Sequence, residues 1–172
     1  MSSLRILTVC TGNVCRSPAA AVMLREAVRG AGLADRVEVG SAGTSWEAEG
    51  MPMDERTELS LVRAGYVRPF EHTARTIHLT ELLTWDVVLP MTVEQAQALR
   101  RMADQVPQGR TPPEIIMWRR FDPAASAEMP ETDIAVDDPW YEGQSAFDRT
   151  VVQMQRSLPA LVAHVQDVLS AR

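Results

Sequence analysis

Cys10 and Arg16 stand with five residues between them in the string CTGNVCRSP, residues Cys10 to Pro18. A thiolate is a strong nucleophile. A guanidinium grips two oxygens of a tetrahedral oxyanion at once. Glycine and small residues between them let backbone N–H groups turn inward around an anion. Wrapping a phosphate takes about this length of chain, so the string reads as a cradle with Cys10 aimed at its centre. The surround that attracts phosphate also favours the thiolate form of Cys10. A lone cysteine at a strand end is ordinarily a small buried hydrophobe. The C-x5-R spacing moves Cys10 out of that class, and the position of the string, after LRILTVC and before AAAVMLREAV, makes it specific.

Two other loop chemistries are excluded. A nucleotide-binding loop needs GxxxxGK[ST], and no Gly-Lys follows Gly12. A zinc site needs about four ligands, and Cys10, Cys15, His72, His78 and His164 show no motif spacing. With Arg16 and the loop amides supplying positive charge, the expectation is no metal and no cofactor. Phosphoryl transfer from such a cradle still needs an acid. The connection Arg119 to Gly143 offers several, and the residues alone leave Asp122, Asp133, Asp137 and Asp138 open.

Elements on either side must position the cradle. Leu4–Val9 reads as a buried strand. Pro18 suits the first turn of a helix whose apolar face is Ala20, Leu24, Ala27 and Ala31 and which ends near Gly32. Val37–Val39 is a second strand leaving through Ser41-Ala42-Gly43. Asp54 caps a helix running to about Ala64, with Gly65 as its stop. Trp85–Pro90 is a third strand, Thr92 caps a helix to Met102, and Glu114–Trp118 is a fourth strand. Trp85 and Trp118, on strands, read as core. The connection 119–143, with Pro123, Pro130 and Pro139, is a long loop of functional length. Val151, Met154, Leu158, Leu161, Val165 and Val168 form a last helical stripe, which Pro159 breaks near 156–158. Strands alternating with helices predict an α/β fold: a four-stranded parallel sheet with helices on both faces. In such sheets ligands bind beyond the carboxyl ends of the strands, where CTGNVCRSP sits.

The chain of 172 residues reads as one domain, 1–172, with no repeat or linker dividing it. Hydrophobic residues make up 45% and charged residues 23%, ordinary values for a globular protein. A net charge of −6 argues against a nucleic-acid partner. No signal-like segment or apolar run of membrane length is seen, so the expectation is a cytoplasmic protein without a membrane partner. The two cysteines, both in one turn, agree with that compartment.

The residues from Val9 to Pro18 resemble the signature of the low-molecular-weight protein tyrosine phosphatases. Ser41-Ala42-Gly43-Thr44, Asp54-Glu55-Arg56, His72-Thr73-Ala74-Arg75 and Asp138-Pro139-Trp140-Tyr141 resemble further family segments, in family order. The resemblance implies the family's three-layer, Rossmann- or flavodoxin-like architecture. It implies that Cys10 forms a phosphocysteine and that Arg16 binds phosphate with the loop Thr11, Gly12, Asn13, Val14, Cys15, Arg16 and Ser17. Asp138 becomes the general acid and base, with Asp137 the competing assignment. Asn13 and Ser17 support the loop, Asn13 tolerating a left-handed backbone and Ser17 donating to the Cys10 thiolate. His72 backs the same network structurally. Trp46, Trp140 and Tyr141 wall the cleft for a phenyl ring. Cys15 is placed to trap an oxidised Cys10 as a disulfide. The implied substrates are tyrosine-phosphorylated proteins and small aryl phosphates, and the implied state is a monomer or weak homo-oligomer.

Two positions depart from the family pattern. Met91-Thr92 stands where Met-Asp is common, and Trp140 where a first tyrosine is common, which bears on substrate preference. Residues 119–131 carry no motif. Two rival functions remain at this stage. An arsenate reductase on the same scaffold relays oxidation to thiols beyond the loop, and here only Cys10 and Cys15 exist, so it needs an external thiol. A non-catalytic phosphate- or phosphotyrosine-binding module is the other.

Overall fold

The computed structural model describes residues 2–172. Strands β1 (Leu4–Cys10), β2 (Val37–Gly43), β3 (Val87–Pro90) and β4 (Glu114–Ile115) form one parallel sheet in the order β2-β1-β3-β4. β1 pairs with β2 from Leu4 opposite Val37 to Cys10 opposite Gly43, and on its other edge with β3. Parallel neighbours require crossovers, and helices supply them on both faces. On one face α1 (Arg16–Gly30), α5 (Gln144–Gln155) and α6 (Leu158–Ser170) cover Leu4, Ile6, Val39, Val87 and Leu89. On the other, α3 (Leu79–Leu82) and α4 (Val93–Ala103) cover Leu7, Val9, Ala42 and Val88. Successive β1 residues point to opposite faces, and both faces are buried. That is why the strand reads as a continuous apolar run. α2 (Glu55–Arg63) packs on α5 and α1.

The expected architecture is present: a four-stranded parallel sheet with helices on both faces. Its caps hold as well. Asp54 Oδ1 accepts from the Arg56 N–H at 2.8 Å. Thr92 forms a reciprocal capping box with Gln95. α1 starts at Arg16, two residues ahead of Pro18. Between α5 and α6 the Arg156 and Ser157 N–H groups reach back only three residues, to Gln153 O and Met154 O. Pro159 sits in the first turn of α6, so the expected break is there. It also rotates the apolar stripe. α6 buries Leu161, Val165 and Leu169 and leaves Leu158 and Val168 half-buried.

Three expectations are corrected. The fourth strand stops at Ile115, and Trp118 opens a 3-10 turn, Trp118–Phe121. Its indole is fully buried and its Nε1–H donates to Met154 O at 3.0 Å, so Trp118 is core but not strand. Trp85 is likewise buried and precedes β3. The connection 119–143 is not structureless. It carries a second 3-10 turn, Glu131–Ile134, and its order comes from distant side chains described below.

Cys10 therefore lies at the carboxyl end of β1. There the chain leaves toward β2 on one side and later returns as β3 on the other, the switch point at which open α/β sheets bind ligands.

Candidate active site

Between Cys10 and α1 four loop carbonyls are tied to chain outside the loop. Cys10 O accepts from Thr44 N and Thr11 O from Ser45 N, both at 3.0 Å, and Val14 O accepts from Asp54 N at 3.0 Å. Asn13 O accepts from His72 Nε2–H at 2.6 Å. Among the described residues no protein acceptor is hydrogen-bonded to the amides of residues 11–15. A loop with most carbonyls spent outward and its amides unspent is an anion nest, and the start of α1 behind it adds its positive end. Gly43 makes the fit possible. A Cβ there would run into the Thr11 carbonyl oxygen and come within 3.2 Å of Asn13 N.

Asn13 holds the turn. It has φ 61°, the one non-glycine residue with positive φ among those described, a conformation Asn tolerates better than other residues. Its Nδ2 donates to Ser17 Oγ at 2.8 Å and Ser41 Oγ at 3.0 Å, and its Oδ1 accepts from Arg75 N at 3.0 Å. Ser17 Oγ lies 2.9 Å from Cys10 Sγ. With Asn13 donating to it, the hydroxyl has its own proton to give, to sulfur at 2.9 Å or to Ala42 O at 3.3 Å. His72 is neutral in this network: burial pushes its pKa below the ordinary histidine value. Gln95, the capping residue of α4, donates Nε2–H to Thr11 Oγ1 at 3.1 Å. Sequence reasoning gave no role to Gln95, and the Thr92-x-x-Gln95 box was the signal that placed it there.

The two thiols differ. Burial pushes the Cys15 thiol up to about 12, so it stays protonated, with Thr57 beside it. Cys10 faces the hollow with Arg16. The Arg16 side chain is almost wholly buried. Nη1 donates to Val136 O at 2.9 Å and Nη2 lies 3.6 Å from Asp138 Oδ2. Its Nε is buried with no partner. An unsatisfied buried donor costs about 1–3 kcal/mol, and an oxyanion in the nest would satisfy it through the Nε–Nη2 fork.

Asp138 is half-exposed, and its Oδ1 accepts from Trp140 N at 3.1 Å. It borders the same hollow as Cys10, Arg16, Trp140 and Tyr141, a space of ≈ 340 Å³. Asp137 instead faces a separate hollow with Arg149 and Arg156. The geometry thus groups Asp138, and not Asp137, with the thiol. Trp46 is 74% exposed, and the residues lining the hollow beside it are Ser45, Glu47 and Ala48. Backbone bonds turn the chain there, Ser45 N to Thr11 O and Glu49 N to Trp46 O.

The stretch 119–131, without a motif, holds the loop that carries Asp138 from behind. Asp122 has a fully buried carboxylate whose Oδ2 accepts from Arg119 Nε and Arg156 Nη2, each at 3.1 Å. Burial raises its pKa, but the bonds from Ala124 N–H, Arg156 and Arg119 outweigh that and hold it below the usual carboxylate value. Arg119 then donates Nη1–H to Ala135 O at 2.9 Å. The next residue, Val136, is held by Arg16 and by Met91 O.

The model of the low molecular weight phosphotyrosine protein phosphatases matches residues 5–170. A low molecular weight protein-tyrosine-phosphatase of Streptomyces coelicolor is 34% identical over 98% of this chain and 97% of its own. Among solved structures, a protein tyrosine phosphatase from Entamoeba histolytica shares the fold with a TM-score of 0.81 at 23% identity, over 96% of this chain and 98% of its own. A Drosophila arginine phosphatase does so with a TM-score of 0.81 at 24% identity, over 94% and 98%.

Proposed function

The chain belongs to the low molecular weight phosphotyrosine protein phosphatase family, and on that premise we propose that it hydrolyses phosphotyrosine in proteins through a phosphocysteine on Cys10. Cys10 Sγ attacks phosphorus, the S–P bond forms and the P–O bond to the phenol breaks. The amides of residues 11–15 and the Arg16 fork hold the equatorial oxygens, strongest where charge develops. Asp138 gives its proton to the departing phenolate and then, as carboxylate, takes one from the water that attacks the phosphocysteine. The P–S bond breaks and the thiolate returns to the Ser17 hydroxyl at 2.9 Å. The observation that carries the reading is one hollow bringing together Cys10, Arg16 with its unpartnered Nε, and Asp138.

The fold is shared with phosphatases for phosphotyrosine and for phosphoarginine, so it does not choose the leaving group. The outer wall does favour an aryl one. Val14, Ala48, Trp140 and Tyr141 offer carbon surface to a phenyl ring. The test is turnover, in EDTA and reductant, of a phosphotyrosine peptide, p-nitrophenyl phosphate and a phosphoarginine peptide. Cys10→Ser abolishes turnover, and Asp137→Asn leaves it intact. Preference for phosphoarginine would remove the tyrosine assignment. Phosphate binding without turnover by the reduced parent would replace the enzyme with a binding module.

A further inference from the structure

Beside the catalytic hollow lies a second one of ≈ 640 Å³. Val14, Glu47, Ala48 and Trp140 border both, so a single wall separates them. Its floor is apolar: Met51 is 55% exposed, and Pro52 and the buried Met53 continue it. Its rim is acidic. Glu47 and Glu55 are exposed and, among the described residues, in no ion pair. The one cation lining it, Arg56, is spent. It pairs with both oxygens of Asp54, donates to Trp140 O and Glu142 O, and stacks over the Trp140 and Phe147 rings.

We propose that this groove is the subsite for a lysine or arginine within two residues of the phosphotyrosine in a protein substrate. An extended peptide advances about 3.3 Å per residue with alternating side chains, so a neighbouring residue reaches across one shared wall. A long basic side chain lays its methylene stem on apolar surface and keeps its charge at the edge. Here Met51 and Trp140 take the stem, and Glu47 and Glu55 take the charge. An acidic neighbour is repelled by the same rim, and a small one leaves the floor uncovered. The inference rests on the phosphotyrosine reading and adds a preference that the catalytic groups do not supply.

The experiment compares kcat/KM for matched phosphotyrosine peptides carrying Lys, Leu or Glu at the positions flanking the phosphotyrosine, with p-nitrophenyl phosphate as the substrate that cannot reach the groove. The expected order is Lys above Leu above Glu, with Lys about tenfold over Glu at low salt and less at high salt. Glu55→Gln reduces the Lys-over-Glu ratio about threefold. Met51→Ser lowers the Lys and Leu peptides by about threefold. Neither variant changes turnover of p-nitrophenyl phosphate. Equal kcat/KM for all peptides in a parent that turns over p-nitrophenyl phosphate overturns the groove alone. A preference for Glu, or a Lys preference untouched by both variants, does the same. Absence of turnover on every substrate overturns the phosphatase reading beneath it.

Discussion

The loop Cys10–Ser17 and the connection 119–143 meet over one hollow, yet they present their working groups differently. The first is contiguous and buried at its base. Asn13 at φ 61° and the helix that begins at Arg16 set its turn, and Thr44, Ser45, Asp54 and His72, distant along the chain, pin its carbonyls. The second carries the proposed acid on a half-exposed side chain, positioned by a relay of long-range bonds: Arg156 to Asp122, Arg119 to Ala135, Arg16 to Val136. The contrast suits the chemistry. The nest must be rigid before the phosphate arrives, because preorganised dipoles stabilise charge without reorganising. The acid must be placed and yet accessible, because it exchanges protons with a leaving group and with water.

Four measurements test that contrast. The largest effect is on chemistry from the second region. Asp138→Asn lowers kcat/KM for a phosphotyrosine peptide about 10²–10³-fold and lowers it less for p-nitrophenyl phosphate, whose leaving group needs less protonation. Equal losses on both substrates would make Asp138 a binding group instead of an acid. Next is the frame of the first region. Asn13→Ala puts a Cβ residue without a polar side chain at positive φ and removes three hydrogen bonds, costing roughly 3 kcal/mol in urea unfolding. An unchanged midpoint would show that the turn does not depend on Asn13.

The third is the relay. Asp122→Asn breaks a buried charge cluster, which costs about 3–5 kcal/mol when fully buried. Arg156 is half-exposed, so about 2 kcal/mol is expected, with a several-fold fall in kcat/KM and little change in phosphate inhibition. Weakened phosphate binding instead would mean that the two regions are not separately built. The smallest is pH. The folded-state pKa of His72 lies below its ordinary 6.5. Its contribution is complete above that pH and is lost as pH falls toward the folded value. Asp54 and Asp122, both lowered, add a second loss below about pH 4. Urea midpoints measured down the pH scale show both limbs, and His72→Gln removes the first.

Sequence alone determined the strand and helix elements, the helix caps, the break before Pro159 and the pairing of Cys10 with Arg16, because periodicity, capping and turn chemistry act between neighbours along the chain. The resemblance to a known family added Asn13 and Ser17 to that pair. Tertiary structure decided the rest. It separated Asp138 from Asp137, which differ by one position and face different hollows. It left Trp46 exposed and lined the hollow with Ala48 and Glu47. It ended β4 at Ile115 and buried Trp118 against Met154. It gave Asp122, Arg119, Gln95 and Gly43 their work, through partners 16 or more residues away in the Arg119–Ala135 bond and 84 away in the Gln95–Thr11 bond. Such partners leave no periodic trace in the sequence, because only packing brings them within hydrogen-bond reach.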